Sequence, residues 1–149
     1  MFFKEILDAI SDLASAKNKK IYIVGGFLRD LYLGNLGRDL DFAVSGNAMS
    51  LAQSVSKIMK GVYIPLDRIN RVARVVLEPH GEKWQIDFSS FKGLSIEEDL
   101  SNRDSTIDAT ALELSAYIKL SGENGSLTAR RSERWRWHEE LIDPYGGLA

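Results

Sequence analysis

The sequence predicts an α+β domain built on a mixed β-sheet of about five strands flanked by helices. Three observations carry that expectation. Apolar residues recur at helical spacing near the N-terminus and again after residue 47. Short β-rich runs separate these helices and end at glycine or proline. Three such runs follow one another in the middle of the chain, where strands adjacent in sequence tend to pair. With 149 residues, 44% hydrophobic and 27% charged, the chain has the size and composition of one ordinary globular domain. It can bury a core without a covalent staple.

Residues 2–16 read as an amphipathic helix with Phe3, Ile6, Leu7, Ile10 and Leu13 on one face. Lys17-Asn18-Lys19-Lys20 closes it, with cations at the negative end of the helix dipole. Residues 21–24 form a short strand stopped by Gly25-Gly26, and a helix over 27–34 carries Phe27, Leu28, Leu31 and Leu33. Residues 40–44 are the next strand. Asn47 is the expected N-cap of a helix over 48–59 that turns Leu51, Val55, Ile58 and Met59 inward. Strands follow at 62–64, 72–77 and 84–88, with Pro65 and Pro79 at strand ends, where a missing N–H does least harm. Ser95-Ile96-Glu97-Glu98 reads as a capping box opening a helix. A short helix is expected over 105–111, residues 112–120 are apolar without a clear period, and 121–126 are a polar loop.

Composition excludes several chemistries. With no Cys, disulfide scaffolds, thiolate zinc sites and cysteine nucleophiles are ruled out, and two His (His80, His138) leave little room for a histidine metal centre. A net charge of −2 provides no global basic field, so any nucleic-acid contact must rest on a local patch. No apolar run approaches the roughly 18–20 residues of a membrane span, and the first residues lack a signal-peptide core, so no membrane partner and a cytoplasmic location are expected.

Three features carry chemistry. In Val24-Gly25-Gly26-Phe27-Leu28-Arg29-Asp30 a strand ends in two glycines and opens a helix. Glycine lets the backbone approach a ligand, helix-start N–H groups favour an anion, and Arg29 adds a forked cation. Alone, this run is better read as a tight strand-to-helix turn. In Asp39-Leu40-Asp41-Phe42 the period of a strand puts both carboxylates on one face roughly 6–7 Å apart, with Leu40 and Phe42 in the core. Such a pair is best tolerated around a divalent cation, and Mg²⁺ suits all-oxygen ligands. An exposed edge strand with two solvated acids is the alternative. In Gln85-Ile86-Asp87-Phe88, Asp87 faces away from two apolar neighbours. Were the two strands adjacent, three carboxylates would converge, enough for two metal ions roughly 3.5–4 Å apart.

These motifs lie in a longer pattern. Ile23-Val24-Gly25-Gly26-Phe27-Leu28-Arg29-Asp30-Leu31-Tyr32-Leu33-Gly34 followed by Arg38-Asp39-Leu40-Asp41 resembles the head-domain signature of class II tRNA nucleotidyltransferases and bacterial poly(A) polymerases. Pro65-Leu66-Asp67 with Ala73-Arg74-Val75-Val76 looks like the family segment before the third carboxylate strand. Ser95-Ile96-Glu97-Glu98-Asp99-Leu100 and Arg103-Asp104-Ser105-Thr106-Ile107-Asp108-Ala109 are similar to its "EEDL…RRDFTINA", and Leu141-Ile142-Asp143-Pro144-Tyr145-Gly146-Gly147 to its "LIDPFGG". The resemblance spans nearly the whole chain, in order and in register.

The resemblance implies a polymerase-β-like nucleotidyltransferase fold over 1–149. It also implies a nucleoside triphosphate (ATP or CTP) held by Gly25, Gly26, Arg29, Asp30, Arg103 and Asp104. Asp39 and Asp41 would be the Mg²⁺ ligands, with Asp87 as a third catalytic acid. The implied reaction is in-line attack by an RNA 3′-hydroxyl, expected to be that of tRNA, on the α-phosphate. The chain departs from the pattern at Asn102, Ser105 and Asp108, where the family has Arg, Phe and Asn.

Family members continue into helical neck, body and tail domains, so the chain is expected to be a head domain from a longer enzyme. A silent nucleotide- or RNA-binding remnant, or a small free-standing enzyme acting on a protein or small molecule, are the alternatives. In the stretch 129–140, Arg130, Arg131, Arg134 and Arg136 interleave with Trp135 and Trp137. These residues could stack on RNA bases and pair with phosphates. Three Glu and the alternation favour a strand with one buried face.

Overall fold

The computed structural model describes residues 2–32, 37–103, 109–121 and 140–144. The elements run α1 (Phe2–Ala16), β1 (Ile21–Val24), α2 (Gly25–Tyr32), β2 (Asp39–Val44), α3 (Ala48–Met59), β3 (Val62–Asp67), β4 (Val72–Leu77), β5 (Trp84–Ser90), α4 (Ile96–Ser101), β6 (Ala111–Glu113) and α5 (Leu114–Ser121). The strands form one mixed sheet in the order β3-β4-β5-β2-β1-β6. Among the described residues, β2 and β5 run parallel and the other neighbours are antiparallel.

Local chemistry explains most boundaries. Asn18 takes the left-handed conformation after α1 (φ 54°), which lets the Lys19 N–H reach the carbonyl of Ala14 at 2.8 Å. The Asn47 side chain accepts the Met49 N–H and opens α3. Ser95 accepts the Glu98 N–H at the start of α4. The returning Glu98 carboxylate binds the N–H of Leu94, one residue ahead of the cap.

The period-2 alternation expected of half-buried strands is present. In β4, Ala73, Val75 and Leu77 are buried while Val72, Arg74 and Val76 are half-exposed; in β5, Trp84, Ile86 and Phe88 are buried. The buried residues meet α1, α3 and α5 in the main core, around Phe3, Ile6, Ile10, Leu51, Val55, Phe42, Phe88 and Tyr117. The opposite face is covered only in part, by a smaller cluster of Tyr22, Val24, Ala43, Ala109 and Ala111 with Ile96 and Leu100 from α4. Over β2, β5 and β4 that face stays accessible, and it carries Asp39, Asp41, Asp87 and Arg74.

Several expectations change. Among the described residues the sheet has six strands, because Ala111, expected at the end of a helix, begins β6. It lies across from Val24 in β1 and exchanges both backbone hydrogen bonds with Ile142 on its other side (2.9 and 2.8 Å). The apolar tract after it divides into β6 and α5. Ile58 is exposed, since the buried stripe of α3 runs through Ala48, Leu51, Ala52, Val55 and Ser56. Pro65 lies inside β3, tolerated because β3 is an edge strand whose register shifts between Pro65 and Asp67. Among the described residues no helix is long and apolar enough to cross a membrane.

Candidate active site

β1 passes into α2 without a loop. Gly25 makes that corner in the left-handed region (φ 71°). It packs against β2: a Cβ built on Gly25 would lie 3.0 Å from Asp41 Oδ2. A Cβ on Gly26 would sit 3.4 Å from Arg29 Nη2, so the guanidinium folds back over the start of the helix. In β2, Leu40 and Phe42 are buried, which turns Asp39 and Asp41 together onto the accessible face, Asp39 exposed and Asp41 half-buried. Both carboxylates therefore share a side, with Asp41 against the Gly25 bend.

Asp87 lies directly across from Asp41 in the parallel register of β2 and β5. Its carboxylate does not stand open beside the other two. Arg74, its partner on β4, grips it through both nitrogens, Nε to Oδ1 at 2.7 Å and Nη2 to Oδ2 at 3.0 Å. The Asp87 hydrogen bond raises the Arg74 pKa above its ordinary value, the charges of Asp87 and Asp39 add to this, and partial burial opposes it. Among the described residues no three carboxylate or imidazole groups come close enough to cage a metal. The adjacency of β2 and β5 that the sequence reading required is present, with Asp87 on the same face as Asp39 and Asp41 and paired to Arg74. The antiparallel register of β4 delivers a cation to Asp87, beside the Asp39 and Asp41 carboxylates. That pair fits Mg²⁺, which commonly binds one or two carboxylates and completes its shell with water and substrate phosphates.

A cavity of about 490 Å³ opens on this face, lined among others by Gly25, Gly26, Asp41, Asp87, Lys92, Asp99 and Arg103. Asp39 is not in its wall, and neither are Arg29 and Asp30. The latter two pair with each other on α2 at 3.3 Å, both 42% exposed. Arg103 reaches the wall from the end of α4, paired with buried Asp99 at 3.1 Å. Asp104 and the arginines at 130, 131, 134 and 136 lie outside the described residues, as do Ser105 and Asp108.

Sequence reasoning missed Arg74, Lys92 and Asp99 as members of the site. Arg74 and Asp99 stood inside quoted motifs, but their partners are set by strand register and by the turn into α4. Lys92 offered no signal beyond its place just after a strand.

A mixed sheet that sets an Asp-x-Asp pair beside a Gly-Gly corner into a helix defines the nucleotidyltransferase fold. The chain belongs to the poly A polymerase head domain family, whose model matches residues 21–121. It is 35% identical over 133 residues to the CC-adding tRNA nucleotidyltransferase of Shouchella clausii, covering 89% of this chain and 27% of that protein. The Thermotoga maritima CCA-adding enzyme complexed with tRNA(CCA) is similar in structure, with a TM-score of 0.69, 28% identity, and coverage of 97% of this chain and 29% of that one. A CCA-adding enzyme in complex with CTP has a TM-score of 0.71 and 26% identity, over 97% of this chain and 30% of that one. The chain therefore spans less than a third of the length of each.

Proposed function

We propose that this chain is the catalytic head of an RNA 3′-end nucleotidyltransferase, part of a longer enzyme that extends tRNA in the cytoplasm. In this reading the cavity receives the triphosphate of ATP or CTP. The backbone at Gly25–Gly26 and the first N–H groups of α2 bind its phosphate oxygens, with Arg29, Lys92 and Arg103 as cations around them. Arg29 exchanges its pairing with Asp30 for phosphate. Asp39 and Asp41 hold Mg²⁺, which when bound offsets charge on the phosphates and on the attacking oxygen.

The RNA 3′-hydroxyl attacks the α-phosphorus, its bond to the bridging oxygen breaks, and pyrophosphate leaves. The protein supplies positioning and electrostatic stabilisation rather than a nucleophile. Asp87, held rigid by Arg74, is the third acid facing the reacting groups. Asp104 and the arginines at 130, 131, 134 and 136 remain candidate contacts to nucleotide and RNA.

The observation that carries this reading is the shared face of Asp39 and Asp41 against the Gly25 bend. Equilibrium binding of labelled CTP and ATP, with Mg²⁺ and with EDTA, tests it. Binding should require Mg²⁺ and be lost in Asp39→Ala and Asp41→Ala. Equal binding by these variants in the presence of Mg²⁺ would overturn the assignment.

A further inference from the structure

We infer that Asp99 is a positioning residue for triphosphate binding, fixing the Arg103 guanidinium and the main chain at Lys92 as one cationic wall of the cavity. The inference rests on the proposed triphosphate reading of that cavity.

Asp99 is 3% exposed, and a buried carboxylate is unfavourable unless its oxygens are bound. Both are engaged. Oδ1 accepts the Lys92 N–H at 2.8 Å, and Oδ2 accepts from Arg103 Nη2 at 3.1 Å. One donor lies just after β5 and the other just after α4, and both residues line the cavity that Gly25, Gly26 and Asp41 also line. Asp99 is thus the junction that sets the spacing of Lys92 and Arg103.

The loop between them is clamped in the same way one step further on. Gly93 adopts φ 103° with the Glu98 carboxylate where a Cβ would stand, and Glu98 Oε2 accepts the Leu94 N–H at 3.0 Å. Packing alone does not call for this acid. Its neighbours on α4, Ile96 and Leu100, already fill the small cluster on that face, and a buried ion pair is poor value for stability against an apolar replacement. What the pair does provide is direction. The guanidinium is anchored through Nη2, while its buried Nε–H has no acceptor among the described residues. Among the described residues, the Asp99 bond is therefore what restrains how Arg103 faces the cavity.

Asp99→Asn separates the two roles, because the amide oxygen still accepts the Lys92 N–H while the acceptor and charge for Arg103 are lost. In the 149-residue protein, with CTP and MgCl₂ as the probe, Asp99→Asn should raise the dissociation constant about tenfold. It should have little further effect in an Arg103→Ala background. Effects that multiply, or an Asp99→Asn protein with unchanged affinity while Arg103→Ala binds weakly, would overturn the inference alone. Unchanged affinity in Arg103→Ala would overturn the reading of the cavity together with it. Should Asp99→Asn not fold, Arg103→Lys keeps a cation beside Asp99 but removes the planar fork. It should weaken CTP binding without lowering the thermal midpoint, and wild-type affinity there would equally overturn the proposal.

Discussion

Arg74 and Asp87 sit opposite each other on neighbouring antiparallel strands and share a two-pronged ion pair, 2.7 and 3.0 Å, one strand away from Asp41. The pair decides how the acidic face balances its charge. Asp87 stands beside Asp41 in the sheet, and without Arg74 the like charges would repel across the strand spacing. In the proposed site, Asp39 and Asp41 would be the carboxylates for a divalent ion, while the arginine holds Asp87 in a fixed position.

Arg74→Ala should therefore destabilise the protein by about 1–3 kcal/mol, since it leaves a partly buried carboxylate without its charged donor. Mg²⁺ should restore part of that loss by shielding the exposed acids. Urea unfolding of the variant and the wild type, each with and without MgCl₂, measures both effects. A Mg²⁺ stabilisation no larger in Arg74→Ala than in the wild type would contradict this description of the face.

Gly25→Ala tests the corner between β1 and α2. The left-handed conformation costs an alanine about 1–2 kcal/mol, and the new methyl would press on Asp41 Oδ2 at 3.0 Å. Affinity for CTP in Mg²⁺ should fall about tenfold, equivalent to about 1.4 kcal/mol. Gly81 is also at positive φ, but a Cβ there meets nothing within 4 Å. Gly81→Ala should carry the conformational strain and leave CTP affinity unchanged.

Phe42 and Phe88 are fully buried register partners on the parallel strands, stacked with centroids 5.5 Å apart. They anchor the core side of the two strands that carry the acids. Phe42→Ala should cost about 3–5 kcal/mol in chemical denaturation. A loss below about 1 kcal/mol would mean that this core closes over the deletion far better than close packing allows.

Asp67 supplies the pH dependence of the β3–β4 turn. Its Oδ1 accepts the N–H groups of Ile69 and Asn70, and its Oδ2 accepts the Asn70 side-chain amide at 2.7 Å. The backbone hydrogen bond from Asn70 leads the causes that hold its pKa below the ordinary carboxylate value. A depressed pKa in the folded state means that the stabilisation is complete above the unfolded value and fades as pH falls through the folded one. Carboxyl carbon shifts followed by NMR should show Asp67 titrating below 3.8, and Asp67→Ala should flatten the acid limb of the stability curve. Titration at or above the ordinary value would contradict the turn geometry.

Much of this was legible in the residues because strand period is a strong signal. Leu40 and Phe42 had to be buried, so Asp39 and Asp41 had to share the other side, and Asn47 and Ser95 announced their helices through capping chemistry. Register was not legible. Nothing local says that Arg74 meets Asp87, since that contact depends on how β4 returns beside β5. β6 was missed for the same reason: three residues carry too little pattern, and Ala111 is a strand residue only because Val24 and Ile142 flank it. Asp99 appeared only as one letter of the EEDL-like motif, and its burial depends on Lys92 and Arg103 closing over it in the fold.

The central claim, that Asp39 and Asp41 hold a divalent ion beside the Gly25–Gly26 cradle, is tested most directly with Mn²⁺ as a paramagnetic substitute for Mg²⁺. Substoichiometric Mn²⁺ should broaden the amide resonances of Gly25, Gly26, Asp39 and Asp41 first, and Asp41→Asn should abolish that broadening while the fold persists. Broadening centred elsewhere, or unchanged in Asp41→Asn, would contradict the account.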